Sequence, residues 1–257
     1  MLAALGRVSK SQAAFVLTIF ALVIGVIREA PLPSSWRRPV RAEFARALRQ
    51  AVGGGLATTI FASALIGVAM VYEALFWLGQ AGQEQLIGSI LVTLLMREVA
   101  PVLVGLIVLG RNGIATAAEI SALQLGGQVR RLEAQGIDPF LFLVLPRATA
   151  LAIACYTLGV VFVLSALAIG YVIANLAGGV LMSLWRFFST ILGAMAPADF
   201  VVFPAKMLVI GLLVALTSVF SGLSADASDP ADAVTSCSFV RGILVILLTS
   251  VILSLVI

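Results

Sequence analysis

The chain has 257 residues, of which 61% are hydrophobic and only 11% are charged. A typical soluble domain is about 45–50% apolar and about 25% charged, so this composition excludes a soluble monomer. Sixteen Lys and Arg residues against twelve Asp and Glu residues give a net charge of +4, and histidine is absent. The lack of histidine excludes Ser-His-Asp and Cys-His catalysis and His-ligated metal sites. Cys155 and Cys237 make neither a disulfide framework nor a zinc site, and we expect neither a catalytic residue nor a bound metal on this chain.

The first apolar run, Ala13–Ile27, has 15 residues and is short for a membrane span. Arg7 and Lys10 precede it as in a signal peptide, but no small-x-small cleavage site follows. We therefore predict a retained helix at the membrane interface, followed by a basic segment that ends near residue 50.

Five later apolar stretches are long enough to cross a bilayer at about 20 residues per span. They are Ala51–Leu78, Leu86–Ala122, Ala148–Leu176, Phe200–Leu223 and Phe239–Ile257. The predicted fold class is all-α integral membrane, with five transmembrane helices, an N-terminal interfacial helix and a short cytoplasmic coupling helix. Residues 1–257 form one domain, in which residues 1–50 precede a five-span core of residues 51–257.

The distribution of basic residues predicts the orientation of the chain. Eight of the sixteen Lys and Arg residues precede Ala51, and Arg130, Arg131 and Arg147 lie in the central connection. Cytoplasmic loops carry such an excess, so we predict that the N-terminus and the central connection are cytoplasmic. The basic stretch Arg37–Arg49 either only fixes this topology or also attracts anionic headgroups.

Arg97 and Glu98 lie well inside the second apolar stretch. An ionisable residue at that depth costs at least ~2.5–3.5 kcal/mol to insert, so each needs a partner or a polar cavity. Neighbouring residues on a helix point about 100° apart, so each is expected to face a different neighbour. Pro101 removes a backbone donor and favours a kink nearby. The pair either lines a substrate path or forms an interhelical structural ion pair.

Two further charges lie in apolar surroundings. Lys206 follows Pro204 near the start of a span, where a lysine either snorkels to the interface or contributes to a polar path. Glu119 lies eight residues after Arg111 on nearly the same helix face. It could form a salt bridge with Arg111 or contact another subunit, and both interpretations are open.

On the first span, Ser63-x-x-x-Gly67 is a spacing that permits close helix approach.

Within residues 126–147, Gly126–Asp138 is a polar connection, and Phe140–Leu145 is a short apolar stub that ends at Pro146-Arg147. A short charged segment leads to Gly136, and Asp138-Pro139 then gives a helix-start signal, with Asp at the N-cap and Pro at the first helical position. A short helix pair that protrudes from the bundle would suit docking to a soluble partner. An ordinary loop is the alternative interpretation.

An ordered set of short motifs crosses residues 95–147. It consists of Leu95–Pro101 (LMREVAP), Gly110-Arg111-x-Gly113, Ala118-Glu119-Ile120, Gly136-Ile137-Asp138-Pro139 and Pro146-Arg147. This order and spacing resemble the MlaE (YrbE) permease family, the membrane subunits of ABC-type phospholipid transporters that work with MCE-domain proteins. The C-terminal part departs from the family, because Asp226–Asp232 is acidic where a Gly-rich stretch is usual, and Thr235-Ser236 replaces a Thr-Arg pair.

The resemblance implies a homodimer in the bacterial inner membrane that moves phospholipid between that membrane and an MCE-protein conduit to the outer membrane. The implied partners are ABC ATPase subunits, an MCE-domain protein and a small STAS-type regulatory subunit, with no nucleic acid. Carried over residue by residue, the lipid path would include Arg97, Glu98 and Lys206. The ATPase-facing coupling region would include Glu119, Arg130, Glu133 and Asp138.

The chain lacks the G-x-x-x-x-G-K-[ST] phosphate loop, so we expect ATP to be bound and hydrolysed by a separate chain, and no cofactor on this one. Two other functions are considered. An ion-coupled secondary transporter would use Arg97 and Glu98 as a proton or substrate site, but it favours an internal inverted repeat that the sequence does not show. The other is a membrane scaffold without transport activity.

Overall fold

The computed structural model describes the backbone of residues 2–83, 85–177, 183–225 and 231–256, and within those ranges no strand occurs. The α-helices are α1 (Leu2–Glu29), α2 (Arg38–Gln80), α3 (Gln85–Leu91), α4 (Ala100–Val108), α5 (Ile114–Leu125), α6 (Gln128–Ala134), α7 (Leu145–Leu176), α8 (Leu184–Ala194), α9 (Asp199–Leu223) and α10 (Ala231–Val256). Of three π-helical segments, Val92–Val99 and Leu109–Gly113 join α3, α4 and α5 within one span, and Phe140–Val144 leads into α7.

Five helical stretches are long and apolar enough to cross a membrane. They are Arg38–Gln80, Leu86–Leu125, Phe140–Leu176, Asp199–Leu223 and Thr235–Leu255. This confirms the predicted all-α membrane class with five spans. Helix α1 is not among the five and packs against α9 and α7, and α6 is the short helix expected in the central connection.

The helices begin earlier than the apolar stretches. Helix α2 has 43 residues and starts at Arg38 rather than at Ala51, because residues 38–50 are rich in Ala and Arg, which are good helix formers. At 1.5 Å per residue it is about 65 Å long, roughly twice the hydrocarbon thickness. Its first turns therefore extend beyond the apolar part. The apolar residues 140–145, expected as a separate stub, belong to the same span as α7.

Among the described helices, α2 and α7 pack against each other most extensively. Gly67 meets the backbone of Ala166, and a Cβ atom at Gly67 would overlap that backbone. Nearby, the hydroxyl oxygens of Ser63 and Ser165 lie 2.6 Å apart. The Ser63-x-x-x-Gly67 spacing is therefore a site of close helix approach, as the sequence predicts.

The bundle has two ends, defined here by what each contains. The basic end holds the start of α2, the end of α5, helix α6 and the start of α7. The α8 end holds α3, the end of α7, helix α8 and the start of α9, and Gly88 of α3 packs directly on the backbone of Thr190 in α8. The charges in apolar surroundings lie in two groups, one toward each end.

Candidate functional site

Arg97, in the first π-helical segment, is paired with Asp199, the first residue of α9. Nε of Arg97 lies 2.7 Å from Oδ1 of Asp199, and Nη2 donates to Oδ2 at 2.9 Å. The Asp199 side chain is 4% exposed and that of Arg97 is 41% exposed. Asp199 also accepts the backbone N–H of Ala196 at 2.8 Å. A buried carboxylate thus holds a guanidinium that reaches the surface.

Lys206 is hydrogen-bonded to the backbone carbonyl of Arg97, four residues before Pro101. Proline has no backbone N–H, so Pro101 itself cannot donate to that carbonyl. Nζ of Lys206 donates to that carbonyl at 2.6 Å and to Oγ of Ser254 in α10 at 2.8 Å. With its side chain 4% exposed, Lys206 does not snorkel to the interface. It joins α9 to α10 and to the π-helical segment.

Glu98 faces Lys206 and Ser254 rather than Arg97. Oγ of Ser254 donates to Oε1 of Glu98 at 2.7 Å, and Nζ of Lys206 lies 3.8 Å from the same oxygen. The Glu98 side chain is 45% exposed. The prediction that Arg97 and Glu98 face different partners is therefore confirmed. These five residues, Arg97, Glu98, Asp199, Lys206 and Ser254, form the α8-end cluster.

A second group of charges, the basic-end network, consists of Glu43, Arg46, Glu119 and Arg147. Nη2 of Arg147 lies 3.1 Å from Glu43 and 3.2 Å from Glu119, so α7 is tied to both α2 and α5. Nη2 of Arg46 lies 2.7 Å from the same Glu119 oxygen. The side chain of Arg147 is 5% exposed and that of Arg46 is 61% exposed. A buried arginine thus holds two carboxylates, and an exposed arginine covers them.

Glu119 pairs with Arg46 and Arg147, so a salt bridge to Arg111 is not formed. Arg111 instead donates to Oγ1 of Thr58 at 3.1 Å, within a region where Gly54 leaves room for its guanidinium. Glu119 therefore has a structural role that connects three helices, whatever its role toward a partner protein.

The other predicted coupling residues lie on the outside of the basic end. Arg130 and Glu133 of α6 and Asp138 are all exposed, while Val129 anchors α6 to the bundle. Oδ1 of Asp138 accepts the N–H of Phe140 at 2.9 Å, which confirms the helix-start signal at Asp138-Pro139. The segment is thus a short helix followed by a capped helix start, not an ordinary loop.

Two grooves flank this protruding segment. One, of about 470 Å³, lies between α2, α5 and α6 and includes Glu119 and Leu132 in its wall. The other, of about 570 Å³, lies between the α1–α2 connection and residues 136–142 and includes Ile137 and Phe142. A soluble partner that engages α6 would therefore find apolar and charged walls on both sides.

Four residues of these two groups were not predicted from the sequence, namely Asp199, Ser254, Glu43 and Arg46. Asp199 lies at the boundary between a mixed segment and a span, where an acidic residue is ordinarily solvated. The available signal was Arg97 itself, because an arginine in an apolar span needs an anion. Asp226 and Asp229 of the divergent acidic stretch, and the side chain of Asp232, lie outside the described residues.

The model of the permease MlaE family matches residues 44–256. "Protein TRIGALACTOSYLDIACYLGLYCEROL 1, chloroplastic" of Arabidopsis thaliana is 31% identical over 111 residues, 40% of this chain and 32% of that protein. A probable ABC transporter permease protein of Rickettsia prowazekii is 29% identical over 174 residues, 64% of this chain and 61% of the relative. One of Synechocystis is 41% identical over 69 residues, 27% of this chain and 26% of the relative. The chain thus matches between about a quarter and three fifths of these relatives' lengths.

Proposed function

The chain belongs to the MlaE permease family, and from that membership we propose that it is the membrane-spanning subunit of an ABC transporter that moves phospholipid. The observation that carries the proposal is the family match over residues 44–256. The match includes the α8-end cluster and the five spans, apart from the first residues of α2. Relatives named as probable ABC transporter permeases support the transporter class. The Arabidopsis relative is named for a galactosylated diacylglycerol, which supports a lipid as the substrate class.

In this proposal the α8-end cluster is part of the lipid path. Arg97 and Glu98 are both about half exposed and carry opposite charges, while their buried partners Asp199 and Lys206 hold them in place. Arg97 donates a hydrogen bond to Asp199 through Nη2, and its Nε makes only a close ion-pair contact, which leaves Nη1 for a further acceptor. Guanidinium groups bind phosphate oxygens through charge-assisted hydrogen bonds, so Arg97 would contact the lipid phosphate. Lys206 acts as a positioning residue beneath Glu98.

The basic end is the proposed coupling region. Arg130, Glu133 and Asp138 would contact the ATPase subunits, which bind and hydrolyse ATP. Helix α6 follows α5 directly through a turn at Gly127, and α5 carries Glu119. Motion imposed on α6 would therefore pass through Glu119 to Arg147 of α7 and Glu43 of α2.

We place the protein in the bacterial inner membrane as a homodimer, with the basic end toward the cytoplasm and a lipid pocket between the two copies. The excess of arginine at the basic end supports this orientation. An MCE-domain protein would exchange lipid at the α8 end and conduct it to or from the outer membrane, and a small STAS-type protein would regulate the ATPase.

Affinity purification of the tagged chain from its own membrane tests this function. The proposal expects an ATPase subunit to be retained in mild detergent, and expects lipid transfer in proteoliposomes to require ATP. A chain that never retains an ATPase contradicts it. Uptake driven by an ion gradient without any ATPase would identify a secondary transporter, and retention of partners without lipid transfer would identify a scaffold.

A further inference from the structure

The first turns of α2 carry a stripe of arginines on one face. Arg38, Arg41 and Arg49 are all exposed, and at 100° per residue they fall within an arc of about 80°. Val40 and Ala51, on the opposite side of the helix, are buried against the bundle. The three arginines therefore point away from the protein together.

No described carboxylate neutralises this stripe. The nearest acidic residues in sequence are already engaged, because Glu43 is held by Arg147 and Arg46, and Glu29 accepts the hydroxyl of Ser35 at 2.7 Å. Glu119 pairs with the same two arginines, Arg46 and Arg147. A hydroxyl does not neutralise the carboxylate of Glu29, but the three arginines exceed that single negative charge, so the stripe is net positive. The basic-end network beside it, with two arginines and two glutamates, is neutral.

A stripe of exposed apolar residues on α1 ends close to the start of the arginine stripe. Val16, Phe20, Ile24 and Ile27 are exposed along one face of α1, while Phe15 on another face packs edge-on against Phe220 of α9 at 5.4 Å. The stripe ends beside the exposed Arg28.

The short connection between α1 and α2 is internally braced. Nε1 of Trp36 donates to the carbonyl of Ala30 at 2.8 Å, which closes the connection, and Ser35 is bonded to Glu29. The end of the apolar stripe and the start of the arginine stripe are therefore held near each other.

We propose that the exposed face formed by α1 and the first turns of α2 is a binding surface for anionic phospholipid headgroups of the surrounding bilayer. The apolar stripe of α1 lies among the acyl chains at the membrane boundary. Arg28, Arg38, Arg41 and Arg49 bind the phosphates of anionic lipids that surround the protein. This surface is separate from the α8-end cluster, and it does not depend on whether the chain transports lipid.

Charge complementarity and continuity with the membrane favour a lipid over a soluble partner. Arg49 immediately precedes the apolar part of α2, so the stripe lies where that helix enters the bilayer. Basic residues next to a span are attracted to anionic headgroups, and amphipathic helices with exposed apolar residues lie in the same interfacial layer. A soluble acidic protein would match the arginines but not the apolar stripe of α1.

Quenching of Trp36 by brominated lipid tests the proposal on the full chain. The chain has three tryptophans, so replacing Trp77 and Trp185 by Phe leaves Trp36 as the reporter. The protein is placed in phosphatidylcholine nanodiscs with increasing fractions of phosphatidylglycerol brominated on its acyl chains. Half-maximal quenching is expected at a much lower fraction of brominated phosphatidylglycerol than of brominated phosphatidylcholine, and this preference should fade at high salt.

Variants assign the preference to the stripe. Arg38→Gln with Arg41→Gln should raise the half-maximal fraction of brominated phosphatidylglycerol by roughly 25-fold, from about fivefold per arginine near an anionic surface. Arg38→Lys with Arg41→Lys keeps the charge and should retain the preference, which separates charge from folding. Arg130→Gln with Arg131→Gln removes the same charge from α6 and should also retain it.

Three results would overturn the proposal. Equal quenching by the two brominated lipids would show that the surface has no anionic preference, as expected if the arginines bind a soluble partner. An unchanged preference in the Arg38→Gln, Arg41→Gln variant would exclude the stripe. An equal loss in the Arg130→Gln, Arg131→Gln variant would show that only net charge matters.

Discussion

The α8-end cluster and the basic-end network both pair buried charged side chains with more exposed side chains of opposite charge. In the cluster, the buried anion Asp199 holds the half-exposed Arg97, and the buried cation Lys206 supports the half-exposed Glu98. In the network, the buried cation Arg147 holds the carboxylates of Glu43 and Glu119. Both groups join helices that are distant in sequence.

The difference lies in what each group presents to the outside. The cluster presents one positive and one negative side chain side by side, Arg97 and Glu98, each anchored from beneath. The network presents only Arg46 and the partly exposed Glu119, which are already paired with each other. The cluster therefore has unsatisfied capacity for a ligand, whereas the network is suited to connecting α2, α5 and α7.

The largest loss of unfolding free energy is expected when the buried Asp199 loses its partner Arg97. Arg97→Gln leaves the buried Asp199 without a counterion and is expected to cost about 2–3 kcal/mol of unfolding free energy, below the value for a fully buried pair because Arg97 reaches solvent. Asp199→Asn leaves a half-exposed arginine and should cost about 1 kcal/mol. Denaturant titration in detergent measures both variants.

The double variant Arg97→Gln with Asp199→Asn is the control, since it removes both charges and should recover most of the loss. If Asp199→Asn is more destabilising than Arg97→Gln, Asp199 is not the buried partner that the structure shows.

The network provides the matched comparison. Arg147→Met leaves Glu43 and Glu119 close together without their buried cation and should cost about 2 kcal/mol. Arg46→Met removes an exposed arginine from the same carboxylates and should cost about 0.5 kcal/mol. The two variants are compared by thermal unfolding in the same detergent. Equal shifts would mean that Arg147 does not hold the three helices together.

A smaller stability effect than those of Arg97→Gln and Arg147→Met is expected at Ser254. Ser254→Ala removes the hydroxyl that lies between Lys206 and Glu98 and should cost about 1 kcal/mol, the usual net value of one hydrogen bond. Ser89→Ala, which removes an exposed hydroxyl bonded only to the carbonyl of Leu86, is the control and should be nearly neutral. If Ser254→Ala costs no more than the control, the Ser254 hydroxyl of α10 does not stabilise the cluster.

The sequence alone was sufficient for the spans and for part of the site. Apolar length located all five spans, and the 100° offset between neighbouring residues predicted that Arg97 and Glu98 have different partners. Asp138 was recognised as a helix start because its capping chemistry is local.

Long-range pairing could not be derived from spacing. Asp199 lies 102 residues from Arg97 and Glu43 lies 104 residues from Arg147, so only the packing of the spans brings them together. The π-helical segments were also missed, although Pro101 and the Gly110 to Gly113 break lie beside or within two of them. The start of α2 at Arg38 was not predicted either, because hydropathy detects the membrane core rather than the helix.

In the proposed function, lipid is handled at the α8 end and ATPase motion is received at the basic end. The most direct test measures lipid transfer and ATP hydrolysis together in proteoliposomes that contain the complete complex. Glu98→Gln, which keeps an acceptor for Ser254, should lower lipid transfer about tenfold at near-normal abundance. Asp138→Lys should leave ATP hydrolysis running without lipid movement, and Asp138→Asn, which keeps the cap on Phe140, separates charge from folding. Wild-type lipid transfer per ATP in both Glu98→Gln and Asp138→Lys would contradict the account.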